Sequence, residues 1–151
     1  MQRLERAFGN LLRLVAAGCF VMLLLLVGFN VLVRLFPVVS SGWTDELIEL
    51  AFAWMIFMGS AALARERLHF RADMILLALR GTTAGRTLDL ALKIAGLAFF
   101  GIFTLLSWNL AVAATNTTPA LDLPRIFWYG VMPVSGAIML AYAVRDLVAR
   151  E

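Results

Sequence analysis

Three carboxylates, Asp45, Glu46 and Glu49, stand at the start of an apolar run that then continues without charge from Leu50 to Ala64. Acids in that position can do three kinds of work. They can bind a cation or proton along an aqueous path, meet a cation or hydrogen-bond donor on a neighbouring helix, or stabilise the positive N-terminal end of their own helix. Thr44 is a candidate cap for that helix, which would give Asp45 and Glu46 the third role. Glu49 lies one to two turns further in, where an unpaired charge is costly, so a polar partner is expected for it.

The other residues with chemical potential exclude more than they support. The one histidine, His69, falls outside the apolar runs, whereas a haem held between membrane helices needs axial ligands on the helices themselves. A serine–histidine pair inside the membrane is excluded by the same placement. The one cysteine, Cys19, allows no internal disulfide or thiolate cluster. A Gly-x-x-x-x-Gly-Lys phosphate loop is absent, so nucleotide hydrolysis by that route is excluded. No catalytic residue, cofactor or metal site is expected.

The elements that must position these residues follow from composition. Of 151 residues, 62% are hydrophobic and only 15% charged, and the mean hydropathy is +0.89. Charged residues make up about a quarter of a typical water-soluble chain, and here they gather between long apolar runs, so lipid is the solvent. The pattern predicts an all-α integral membrane protein forming a single domain over residues 1–151. Its four transmembrane helices are expected at about 14–35, 43–64, 90–114 and 126–145. The mostly apolar stretch Phe70 to Leu79, with Arg71, Asp73 and Arg80 around it and Gly81 after it, predicts an interfacial helix at about 66–80, with a cytoplasmic extension of the second span as the alternative. Gly81 to Gly85 is expected to form a turn.

Basic residues decide the orientation. Arg3, Arg6 and Arg13 precede the first span, and Arg65, Arg67, Arg71, Arg80 and Arg86 lie between the second and third, with Lys93 at the edge. Arg145 and Arg150 close the chain, while the opposite face has Arg34 and Arg125. Both termini and the central loop are therefore expected in the cytoplasm. Arg65, Arg67, His69, Arg71 and Asp73 become candidate contacts to lipid headgroups at that interface. The sequence pI of about 9.8 reflects this membrane-flanking pattern, with no basic stripe interleaved with aromatics for nucleic acid.

Two short patterns are discounted. Ala16-Ala-Gly-Cys19 resembles a lipoprotein cleavage box, but apolar sequence continues to Val33 and an uncleaved span is expected. Asn116-Thr-Thr118 satisfies a glycosylation pattern that is frequent by chance. A stripe on the second span, Glu46, Glu49, Ala53, Ser60 and Ala64, offers small residues for close helix packing, either within the chain or against another subunit.

The order of these features resembles a known family. Asn30-Val-Leu-Val-Arg34, Trp43-Thr-Asp-Glu-Leu47, Ala53-Trp54 and Gly59-Ser-Ala-Ala62 are followed by Arg65 and His69-Phe-Arg-Ala-Asp73. Pro119-Ala-Leu121, Pro124 and Pro133 complete the series. Together they resemble the small membrane subunit of the tripartite ATP-independent periplasmic (TRAP) transporters, over essentially the whole chain. The Arg71 inside the histidine segment departs from the family's pattern. The resemblance implies a scaffold subunit in the bacterial inner membrane. Its partners would be a large membrane permease subunit, which carries substrate by a sodium-driven elevator motion, and a periplasmic substrate-binding protein. Substrate and sodium sites would lie on the large subunit.

On this reading, Trp43, Glu46, Glu49, Ala53, Trp54 and Ser60 are candidate contacts to the partner subunit, with Arg34 as a rival partner for Glu49. The alternatives are a self-sufficient homodimeric four-span transporter using Glu46 and Glu49 as ion-binding acids, and a membrane anchor of an enzyme. Organic acids or related solutes are the substrates such systems handle.

Overall fold

In lipid a chain segment must satisfy its own backbone hydrogen bonds, so each long apolar run closes into a helix. The computed structural model describes residues 2–35, 42–65 and 82–148, with the side chains of residues 2–6 and 34 outside that set. The expected interfacial segment 66–80, with Arg67, His69, Arg71 and Asp73, lies outside the described residues. Among those described, the elements are α1 (Gln2–Arg34), α2 (Gly42–Arg65), α3 (Thr83–Ala113), the short α4 (Ile126–Tyr129) and α5 (Val131–Val148). Four helical stretches are long and apolar enough to cross a membrane, α4 and α5 together forming the last, Ile126–Val148.

Local chemistry explains the boundaries. Of the turn expected at Gly81 to Gly85, Gly81 lies outside the described residues, and from Thr82 onward a helix begins: the Thr82 hydroxyl accepts the Gly85 N–H at 3.1 Å, and Thr83 is already helical. Asp89 and Lys93, one turn apart, pair at 2.8 Å near the start of α3. Between α4 and α5, Pro133 has no N–H to offer the Tyr129 carbonyl four residues back, and the helix is interrupted at Gly130. Thr44, expected as a cap, lies inside the first turn of α2 and is fully buried.

The helices stand in an open row in the order α1, α2, α5, α3, with α4 touching α2, α3 and α5. Among the described residues, the α1 backbone comes close to that of α2 and not to those of α3 or α5, while Phe57 of α2 reaches across to stack on Phe103 of α3. The consequence is visible in burial. Only 6% of the apolar window of α1 is buried, against 33% for the last span. Leu12 of α1, Met58, Ala61 and Ala62 of α2, Phe100 of α3 and Val131 and Met139 of α5 form the shared core. Small residues set the spacing: the open side of Gly59 faces the Ala16 methyl, and Gly136 of α5 lies against Thr104 and Phe103 of α3. At the end where the chain termini lie, the Arg65 guanidinium packs directly on the face of Gly9.

Residues 114–125 join α3 to α4 as a tight hairpin at the other end. Thr117 and Pro124 form an antiparallel bridge. The Thr118 N–H donates to Leu123 O at 2.9 Å, the Arg125 N–H to Asn116 O at 3.0 Å and the Leu123 N–H to the Thr118 hydroxyl at 3.2 Å. The reversal needs Asp122 at φ 52°, in the left-handed region. An Asp122→Val substitution is expected to cost about 1–2 kcal/mol, because Cβ branching is poorly tolerated there. Asp122→Gly should be near neutral. Thermal unfolding in detergent checks the pair, and equal melting temperatures would refute the strain.

Candidate functional site at the hairpin end of α2

The three acids of α2 share little more than one helical turn yet meet different surroundings. Glu46 points to the hairpin. Its two carboxylate oxygens accept the backbone N–H groups of Ala120 at 2.7 Å and Leu121 at 3.0 Å. The Thr118 hydroxyl and the Arg125 guanidinium add favourable interactions to the same carboxylate. Charge-assisted bonds of this kind are stronger than neutral ones, so Glu46 ties the hairpin to α2.

Asp45 points toward α1, where it accepts the side-chain N–H of Asn30 at 2.6 Å. Asn30 is buried in the α1–α2 seam, and its Oδ1 has no hydrogen-bond partner among the described residues. Above the seam, the Trp43 ring packs against Phe29 with centroids 6.0 Å apart.

Glu49 points to neither neighbour. It is exposed and makes no hydrogen bond or ion pair with the described residues. With Asp45, Glu46, Ile48, Phe52 and Pro119 it lines an open groove of ≈ 560 Å³ between α2 and the hairpin. The Arg34 side chain, weighed above as its partner, lies outside the described residues.

The remaining candidates are distributed along α2. The Trp54 indole N–H donates to Phe127 O at 2.9 Å, joining α2 to α4. Ala53 is half-buried against the core, Ser60 is half-buried, and Arg65 reaches α1 at the far end. The structure thus brings Trp43, Glu46 and Glu49 to one end of α2 and places Trp54 and Ser60 progressively deeper. The polar groups of Glu46 and Trp54 are taken up within the chain.

Asn30 carries a role that the sequence reading missed, although a polar residue near the end of an apolar helix is a recognisable sign of a bond between helices. The hairpin amides that engage Glu46 left no side-chain signal to find. Among the described residues, no group of three or more His, Cys, Asp or Glu side chains could hold a metal ion.

Four spanning-capable helices in a row, tied at one end by buried and charge-assisted polar contacts, define an α-helical multi-pass membrane protein. Residues 22–150 match the family model described as the DctQ component of tripartite ATP-independent periplasmic transporters, and the chain belongs to that family. It is therefore a small TRAP transporter component. Neither the curated proteins nor the solved structures contain a match to it.

Proposed function

We propose that this chain is the non-catalytic scaffold subunit of a sodium-coupled secondary importer of organic acids or related solutes. It works beside a large membrane permease subunit that holds the substrate and ion sites, and with a periplasmic substrate-binding protein. The arrangement sits in the bacterial inner membrane with both termini in the cytoplasm, an orientation supported by the arginine asymmetry between the two faces. The partner contact lies along α2, with Trp43, Glu49, Ala53 and Ser60 facing it or flanking it, and Glu46 and Trp54 holding the scaffold behind it. Arg65 and the segment through Asp73 meet lipid headgroups.

The observation that carries this reading is the open row. Because among the described residues the α1 backbone lies close only to that of α2, the four helices do not pack as a closed ring around a central path. A conduit with alternating access needs elements that enclose a site near the membrane midplane. Membership of the TRAP family supports a larger subunit as the partner beside such an open row.

The test is co-purification followed by reconstitution. A tagged chain should bring down a much larger multispan protein, and vesicles holding the chain alone should show no sodium-dependent uptake of any organic acid tried. Uptake by the chain alone would replace this reading with the self-sufficient homodimer.

A further inference from the structure

The central position of α2 leaves one of its faces uncovered. α1 and α5 pack on its sides and the hairpin covers part of one end, while Asp45, Glu49, Phe52, Ile56 and Leu63 are all exposed. Their spacings of four, three, four and seven residues align them down one side of the helix. Ser60, half-buried, is the small residue between Ile56 and Leu63 on this side, while Gly59 is turned to Ala16 of α1.

Most of the exposed apolar surface of this protein suits lipid without further explanation. Leu14, Leu24 and Leu25 of α1 and Leu105, Leu106 and Trp108 of α3 are uncharged and face outward. The α2 face differs because it carries a carboxylate at membrane depth. Glu49 and Arg65 are separated by about 24 Å along the helix, against a hydrocarbon core of about 30 Å. With Arg65 at one boundary, Glu49 lies roughly 6 Å inside the other, where a carboxylate without a partner is costly. Asp45, one turn above on the same side, adds like-charge repulsion. The chain supplies amide donors to Glu46 and to Asp45, and among the described residues none to Glu49.

Taking the proposed scaffold role as its basis, we propose that this face docks a transmembrane helix of the large subunit that carries a lysine or arginine near its hairpin-side end. That cation seats in the ≈ 560 Å³ groove and pairs with Glu49. Below it, the partner helix packs along Phe52 and Ile56 and approaches most closely at Ser60. Charge complementarity selects this occupant: a lipid tail offers no donor to Glu49, and a second copy presenting the same face would set acid against acid.

The experiment uses the two membrane subunits expressed together. Photo-crosslinking side chains are placed at Phe52 and Ile56, with Leu25 of α1 and Leu106 of α3 as outward-facing comparisons. Adducts to the large subunit are expected from positions 52 and 56 and not from 25 and 106. Glu49→Lys should reduce co-purified large subunit at least tenfold, and Glu49→Gln less, with the melting temperature of the isolated chain unchanged for Glu49→Gln. Reversing the charge of the crosslinked helix's basic residue should restore assembly of Glu49→Lys.

Several outcomes overturn the proposal. Adducts to a second copy or to phospholipid alone would name another occupant. Large-subunit adducts from only positions 25 or 106 would leave the scaffold role standing and move the interface to α1 or α3. If Arg34→Ala and Glu49→Ala each lower the stability of the isolated chain by a shared, non-additive amount, Glu49 is paired internally. Failure of the unmodified chain to co-purify any large subunit would remove the scaffold role itself.

Discussion

Replacing Glu46 by alanine is expected to release the hairpin from α2 while leaving the helices packed. The substitution strips the acceptor from the Ala120 and Leu121 N–H groups at once. The hairpin's own bonds, from Thr118 to Leu123 and from Arg125 to Asn116, do not involve Glu46 and should hold its shape. The core contacts of Met58, Ala61 and Val131 lie deeper and are untouched. Amide exchange at positions 120 and 121 should accelerate roughly tenfold or more, because both groups lose a charge-assisted bond and gain water.

Graded substitutions separate geometry from charge. Glu46→Gln keeps one carbonyl oxygen and should give an intermediate rate, whereas Glu46→Asp, one methylene shorter, should resemble alanine. Glu49→Ala should leave exchange in the hairpin unchanged. Slow exchange at Ala120 and Leu121 in Glu46→Ala would mean that the carboxylate is incidental to holding the loop.

The second large effect is expected at Gly136, where α5 meets α3. A Cβ at this position would stand 2.7 Å from the Thr104 Oγ1 and 3.0 Å from the Phe103 Cδ1. Neither neighbour can yield cheaply. The Thr104 hydroxyl is held by its bond to Phe100 O at 2.7 Å, and the Phe103 ring is stacked between Phe57 at 6.0 Å and Phe99 at 6.3 Å. Overpacking of such a seam costs about 1–3 kcal/mol, so Gly136→Ala should lower the unfolding midpoint and Gly136→Val should lower it further.

A compensating change supplies the control. Thr104→Ala removes the nearest obstructing atom, and combined with Gly136→Ala it should recover part of the lost stability, a coupling that independent sites would not show. Denaturant titration of the detergent-solubilised chain reads both. Unchanged stability in Gly136→Ala would show that the helices can separate freely, contrary to the seam described.

The acids of α2 show where sequence reading reaches its limit. Their unusual density at the start of an apolar run marked this end of the helix as the place to look, and three possible roles could be written down in advance. The structure divides them: Asp45 with Asn30, Glu46 with the hairpin amides, Glu49 with no described residue. Local pattern could not make that division. Three residues within little more than one turn differ in azimuth by their spacing, but what waits at each azimuth depends on which helices stand alongside. Thr44 illustrates the same point: its type suggests a cap, and its full burial inside the first turn follows from the packing around it.

The sequence by itself determined the all-α character, the four spanning-capable helices and the DctQ family. It could do so because a helix in lipid satisfies its backbone within its own segment, making the outcome a local property of apolar length. Only the tertiary structure decided the order of the row, with α2 and α5 central and α1 and α3 at its edges. It also decided the fate of each acid. Asn30 lies 15 positions from Asp45, and Ala120 and Leu121 lie 74 and 75 positions from Glu46. Bonds over such separations depend on how helices pack side by side. Small residues such as Gly59 and Gly136 set that packing through shape, and shape complementarity between distant segments has no period to read along the chain.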